Sequence, residues 1–144
     1  MQLRRIVPED WSWIQSWFED EQLNKALGPL DEAWLDHALH AENGVQLVGV
    51  EDSLPVVLIG CAWSPEAGGL HGITDIAVSP VSRGTGLGRR AVAALVRWNC
   101  HPPAAGWVAF VDQENAAARA FFTELTWIYR GVDDEMHRFE LQVT

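Results

Sequence analysis

ITDIAVSPVSRGTGLGRRAVAALV, residues 73–96, changes its periodicity halfway along. Ile73–Val78 is an apolar, β-branched run and reads as a strand. Ser79–Pro80 is a turn signal. Gly84, Gly86 and Gly88 then stand at alternate positions, and Leu87, Ala91, Leu95 and Trp98 recur at helical spacing. Glycine in a helix's first turn weakens it by up to ~1 kcal/mol relative to alanine. A bound phosphate is the usual compensation, because glycines let it approach backbone N–H groups at a helix N-terminus. Arg83, Arg89 and Arg90 add positive charge. A P-loop is excluded, since its lysine is missing and Lys25 is the only lysine in the chain. A dinucleotide fingerprint is excluded too: Gly84 and Gly86 fit, but the third position is Arg89.

Outward from this stretch the pattern predicts strands at Gln2–Ile6, VQLVGVED, VVLIGCAWS, HGITDIAVS, GWVAFV, WIYRG and MHRFELQV. Helices are predicted over PEDWSWIQSWFEDEQL, EAWLDHALH, the segment after the glycines as far as HPP, and ENAAARAFFTELT. The order β-α-α-β-β-β-α-β-α-β-β implies an α/β fold, a mixed sheet of about seven strands with helices on both faces. The helix between HGITDIAVS and GWVAFV is a crossover joining parallel strands.

At 144 residues the chain is the length of a single domain, 1–144. No apolar run approaches the ~18 residues of a membrane span, and MQLRRIVPEDW lacks a signal peptide's apolar core. Cys61 and Cys100 form no zinc or disulfide framework, so a cytoplasmic location is expected. A net charge of −10 argues against nucleic acid as a partner. Up to Pro80 there are three basic and thirteen acidic residues, and from Val81 seven of each. His37 and His40, three apart on a helix, lack further ligands, so no metal is implied.

The stretch 73–96 resembles the acetyl-CoA-binding segment of the GCN5-related N-acetyltransferases, the GNAT superfamily. That pattern is an arginine or glutamine, two residues, glycine, one residue, then glycine or alanine, and Arg83, Gly86 and Gly88 match it. NAAARAFFTELTW, residues 115–127, is similar to the family's later motif, and the element order agrees. The resemblance implies a mostly antiparallel sheet and acetyl-CoA as co-substrate. It implies that the backbone of Ile76, Ala77 and Val78 pairs with the pantetheine arm. The N–H groups of Gly84, Thr85, Gly86, Leu87, Gly88 and Arg89 would cradle the pyrophosphate. Asn115 would cap its helix or touch the pantetheine, and Phe122 would lie at the cofactor. The activity implied is acetyl transfer to the primary amine of a small molecule or peptide, by direct attack in a ternary complex. A homodimer is left open.

Two positions depart from the family pattern. Phe122 stands where a tyrosine usually protonates the departing thiolate. Thr126 stands where glycine usually stops the helix, and a β-branched residue disfavours the left-handed conformation such a stop needs, so a different ending is expected. Releasing a thiolate at pH 7 without an acid costs only ~2 kcal/mol, whereas deprotonating a lysine-like amine costs ~4.6 kcal/mol. The base therefore matters more, and water or Tyr129 could replace the acid. Candidate bases are Asp75, His71 and Glu66. The acidic first half suggests a cationic amine. The rival expectation is a non-catalytic acyl-CoA-binding or sensing module.

Overall fold

Apolar runs build the central strands, and amphipathic segments, three of them started by an Asp or Asn N-cap, build the helices. In the computed structural model, which describes residues 1–143, β1 is Gln2–Arg5, α1 Trp11–Trp17, α2 Glu21–Leu27, α3 Glu32–His40, β2 Gly44–Glu51 and β3 Leu54–Ala62. Then come β4 Leu70–Val78, α4 Leu87–Arg97, β5 Gly106–Asp112, α5 Ala116–Glu124, β6 Ile128–Asp133 and β7 Met136–Gln142. The seven strands form a mostly antiparallel sheet in the order β1-β2-β3-β4-β5-β7-β6. Two compact units divide the chain, residues 1–60 with 75–99, and residues 61–74 with 100–143.

In the first unit, Ile14, Phe18 and Leu23 of the α1–α2 segment close on Ile6, Val48, Leu58 and Ala77. Trp11, Trp13, Trp17 and Trp34 pack around this core half-buried. Six consecutive buried residues, Gly44–Gly49, show β2 to be covered on both faces. Asp52 and Ser53 join β2 to β3 with positive φ at both, 51° and 64°, as a tight hairpin requires. In the second unit β5 pairs with β7 along its whole length, from Gly106↔Gln142 to Asp112↔Met136, and β6 pairs with β7 antiparallel.

The single helix expected over residues 8–23 is two helices. Asp20 breaks it, because its carboxylate accepts the Leu23 N–H at 3.1 Å and so starts α2 as its N-cap. The helix before HPP also ends early, at Arg97, with Trp98 already extended.

The expectation for Thr126 was wrong. Thr126 takes the left-handed conformation, φ 63°. The Trp127 N–H bonds the Phe122 carbonyl at 3.3 Å and the Thr126 N–H bonds that of Thr123 at 3.0 Å. This is a Schellman stop with threonine in glycine's place. Its hydrophobic contact is present as well, with the Phe122 and Trp127 rings 5.0 Å apart. Ring packing and two backbone bonds outweigh a local strain of ~1–2 kcal/mol.

Candidate active site

β4 pairs in parallel with β5 from Leu70↔Gly106 to Ile73↔Ala109. β4 runs on to Val78, and Ile76, Ala77 and Val78 are its last residues. Ala77 is fully buried in the core under α1 and α2, and alternation puts Asp75 on the same face.

Past β4 the Ser79 N–H bonds the Val56 carbonyl at 2.9 Å, and one 3₁₀ turn, Pro80–Ser82, leads to an extended Arg83. Gly84 and Gly86 have φ of 77° and 81°, which explains why glycine stands at both. Gly86 is the N-cap of α4, and its carbonyl accepts the Arg90 N–H at 3.1 Å. Thr85 turns its hydroxyl back to the Ser82 carbonyl at 2.6 Å. The Leu87 side chain is buried at 4% exposure, so only its backbone is available to a ligand. The loop is exposed, it opens a helix of 11 residues, and a Cβ at Gly84 would meet nothing within 4 Å. A phosphate has room to reach this backbone.

The three arginines differ. Arg83 forms a two-pronged ion pair with Asp20, which raises the arginine's pKa and lowers that of the carboxyl, chiefly through their hydrogen bonds. Arg90 donates to both Glu51 oxygens at 2.9 Å and to the Thr85 carbonyl at 3.0 Å. Arg89 is exposed and its side chain has no partner among the described residues. Sequence reasoning counted all three as loose charge and missed Asp20 and Glu51. Asp20-Glu21 ahead of Leu23 was a readable helix-start signal. Nothing local pointed to Glu51.

Asp75 accepts a hydrogen bond from Gln46 Nε2 at 3.0 Å. Gln46 is buried at 7% exposure, a lone polar side chain in the apolar run of β2. That singularity was visible in the sequence and is the signal that could have found it. His71 is 0% exposed. Its Nδ1 accepts the Ser64 N–H at 2.9 Å and its Nε2 lies 2.7 Å from the Pro102 carbonyl, which fixes the neutral tautomer with hydrogen on Nε2. Trp63, His101 and Trp107 enclose the ring. Glu66 is exposed in the loop before β4.

In the second unit Asn115 Oδ1 accepts the Ala118 N–H at 3.0 Å, an N-cap of α5. Phe122 is 5% exposed and packs on Phe121, Trp127 and Phe139. Tyr129 packs on the same Phe139, and its hydroxyl lies 2.8 Å from Nδ1 of buried His137.

An acetyltransferase from Thermus thermophilus superposes with a TM-score of 0.81 at 17% identity, covering 99% of this chain and 96% of that one. A chimera of the Vibrio cholerae spermidine N-acetyltransferase SpeG and hSSAT superposes with a TM-score of 0.73 at 14% identity, over 98% and 94% of the two chains. The PaiA N-acetyltransferase from Thermoplasma acidophilum, solved in complex with coenzyme A, gives 0.66 at 10% identity, over 99% and 98%. No curated protein matches by sequence. Residues 4–127 match the model of the acetyltransferase (GNAT) family, and the chain belongs to that family.

Proposed function

We propose that this chain is a single-domain N-acetyltransferase that moves an acetyl group from acetyl-CoA to a primary amine, preferably a cationic one, within a ternary complex. The observation that carries this reading is the glycine turn. Two positive-φ glycines open α4 beside Arg89, one short turn after the C-terminal end of β4. Backbone amides and one unengaged cation suit a pyrophosphate. The Ile76–Val78 backbone suits the extended pantetheine arm, and the Val78 N–H suits the thioester oxygen, which gains charge as the amine attacks.

We assign the base to Asp75. His71 is closed off and both its nitrogens are bonded to backbone, so moving a proton through it would break one of those bonds. Gln46 holds Asp75 Oδ2, which orients the carboxylate. Asn115 acts as a cap and Phe122 as packing in this reading, with water protonating the thiolate. The acceptor is a small molecule or the amine of a peptide. Exposed Glu9, Glu19, Glu21, Glu32 and Asp36 on and around α1–α3 favour a cation there. No helix among the described residues is long and apolar enough to cross a membrane.

The test is release of coenzyme A thiol from acetyl-CoA against a panel of amines: polyamines, aminoglycosides, basic peptides and acidic amino acids. A cationic acceptor should turn over, with kcat/KM falling as salt rises toward a Debye length of ~8–10 Å. Stabilisation by acetyl-CoA with no turnover on any amine would establish a binding module instead. The absence of any acetyl-CoA effect on melting would refute the cofactor assignment.

A further inference from the structure

We propose that Arg90 is a positioning residue of the phosphate cradle: Glu51 holds its guanidinium, the guanidinium holds the Thr85 carbonyl, and this sets the direction of the Gly86 N–H. The inference rests on the cofactor reading above. It assigns a job to two residues, Glu51 and Arg90, that the motif itself does not use.

The geometry is a chain of three links. Nε and Nη2 of Arg90 each reach one Glu51 oxygen at 2.9 Å, a fork-to-fork arrangement that fixes the plane of the guanidinium. Nη1 of the same group donates to the Thr85 carbonyl at 3.0 Å. A trans peptide unit carries its C=O and N–H on opposite sides. Turning the Thr85 carbonyl toward Arg90 therefore turns the Gly86 N–H away from it. Gly86 is where the chain takes its left-handed step into α4, and a glycine there leaves its peptide plane free to be misplaced. The fit is close, since a Cβ on Gly86 would stand 3.3 Å from Nη1.

Arg90 is thereby withdrawn from the ligand's charge. Its guanidinium is matched by Glu51, whose carboxyl is held below its ordinary range mainly by the Arg90 hydrogen bond and so stays ionised at neutral pH. Direct attraction for phosphate falls to Arg89, the neighbour whose side chain is unengaged. Lysine cannot replace Arg90, because an ammonium has no planar fork to span a carboxylate and a carbonyl at once.

The experiment is calorimetric titration of the full chain with coenzyme A at several salt concentrations, and with pantetheine, which carries no phosphate. Circular dichroism and melting confirm that each variant is folded. Glu51→Gln and Arg90→Lys are each expected to weaken coenzyme A about tenfold. Pantetheine binding and the salt dependence for coenzyme A should stay as in the wild type, while Arg89→Ala should weaken coenzyme A and flatten its salt dependence. In turnover, the Glu51→Gln and Arg90→Lys variants should raise KM for acetyl-CoA and leave kcat unchanged. Unchanged affinity in both would make the pair an ordinary surface contact and overturn the proposal. Tighter binding in Glu51→Gln would make Arg90 a phosphate ligand restrained by Glu51, and would equally overturn it. A wild type that binds pantetheine and coenzyme A equally, or neither, would remove the cofactor reading on which it rests.

Discussion

Replacing Thr126 by glycine should stabilise this protein. Thr126 sits at φ 63°, where a residue with a Cβ is strained by ~1–2 kcal/mol. The conformation is forced by the bonds around it, from Trp127 N–H to the Phe122 carbonyl and from Thr126 N–H to that of Thr123. Glycine relieves the strain and keeps both. It forfeits one exposed contact, from the Thr126 hydroxyl to the Leu125 carbonyl, which water replaces at little cost. Glycine also loosens the unfolded chain, which offsets ~0.4–1 kcal/mol. The net gain is ~0.5–1 kcal/mol. At this chain length that is a rise in Tm of roughly 1–4 °C. Thermal unfolding followed by circular dichroism, together with the urea midpoint at unchanged slope, measures it. Thr126→Ala is the control, because alanine keeps the Cβ and the strain and should gain nothing. A Tm for Thr126→Gly at or below that of Thr126→Ala would refute the argument, since it would mean that a Cβ costs nothing at this φ.

Asp75→Asn should lower kcat by ~10²–10⁴ and abolish the acidic limb of the pH–rate profile; a changed Tm with the limb intact would return Asp75 to a purely structural role. Asp10 is 3% exposed, and burial pushes its carboxyl up. Bonds from Arg4 at 2.8 Å, the Val7 N–H at 2.9 Å and Trp13 Nε1 at 2.8 Å together outweigh burial and leave it below the ordinary range. A depressed carboxyl stabilises the fold above its unfolded value of ~3.9, and that contribution is lost as pH falls through the lower folded value. Asp10→Ala should therefore cost ~2–4 kcal/mol near pH 7 and progressively less as pH falls below the unfolded value of ~3.9, as urea midpoints at several pH values will show. Tyr129→Phe should lower Tm, because His137 loses its 2.8 Å partner, while kcat stays unchanged; a large drop in kcat would identify Tyr129 as the acid that Phe122 cannot be.

The strands and the glycine turn were legible because their causes are local. Alternation, positive-φ glycines and caps act within a few residues, and β2 to β5 and the Asn115 cap lie where the pattern put them. The misreadings share another cause. Asp20 looked like one more acid in a helical run, yet its partner Arg83 is 63 positions away. Glu51 meets Arg90 across 39 positions and Gln46 meets Asp75 across 29. Thr126 obeyed its neighbours over its own propensity, because the Phe122–Trp127 contact demands the turn. Propensity is a weak prior wherever tertiary packing closes on both sides of a residue.

The charge division shows the same limit and bears on the acceptor. Along the sequence all of the net −10 lies in the first 80 residues. In space the unit formed by 1–60 and 75–99 holds seven basic and twelve acidic residues, the other three and eight, so each carries −5. The asymmetry between the two halves of the sequence is a property of chain order, and neither compact unit carries more of the charge than the other. What survives is local. Residues 9–42 contain nine acids and one base, Lys25. Asp10 and Asp20 leave that set, because Arg4 and Arg83 neutralise them. A predominantly acidic exposed group remains around α1–α3, with Glu9, Glu19, Glu21, Glu32 and Asp36 in it and Lys25 the one base. A field screened within ~8–10 Å is decided by such a group and not by the molecule's total. The proposed preference for a cationic amine therefore depends on where the acceptor sits relative to α1–α3. An enzyme of the same net charge with these acids elsewhere would have no such preference.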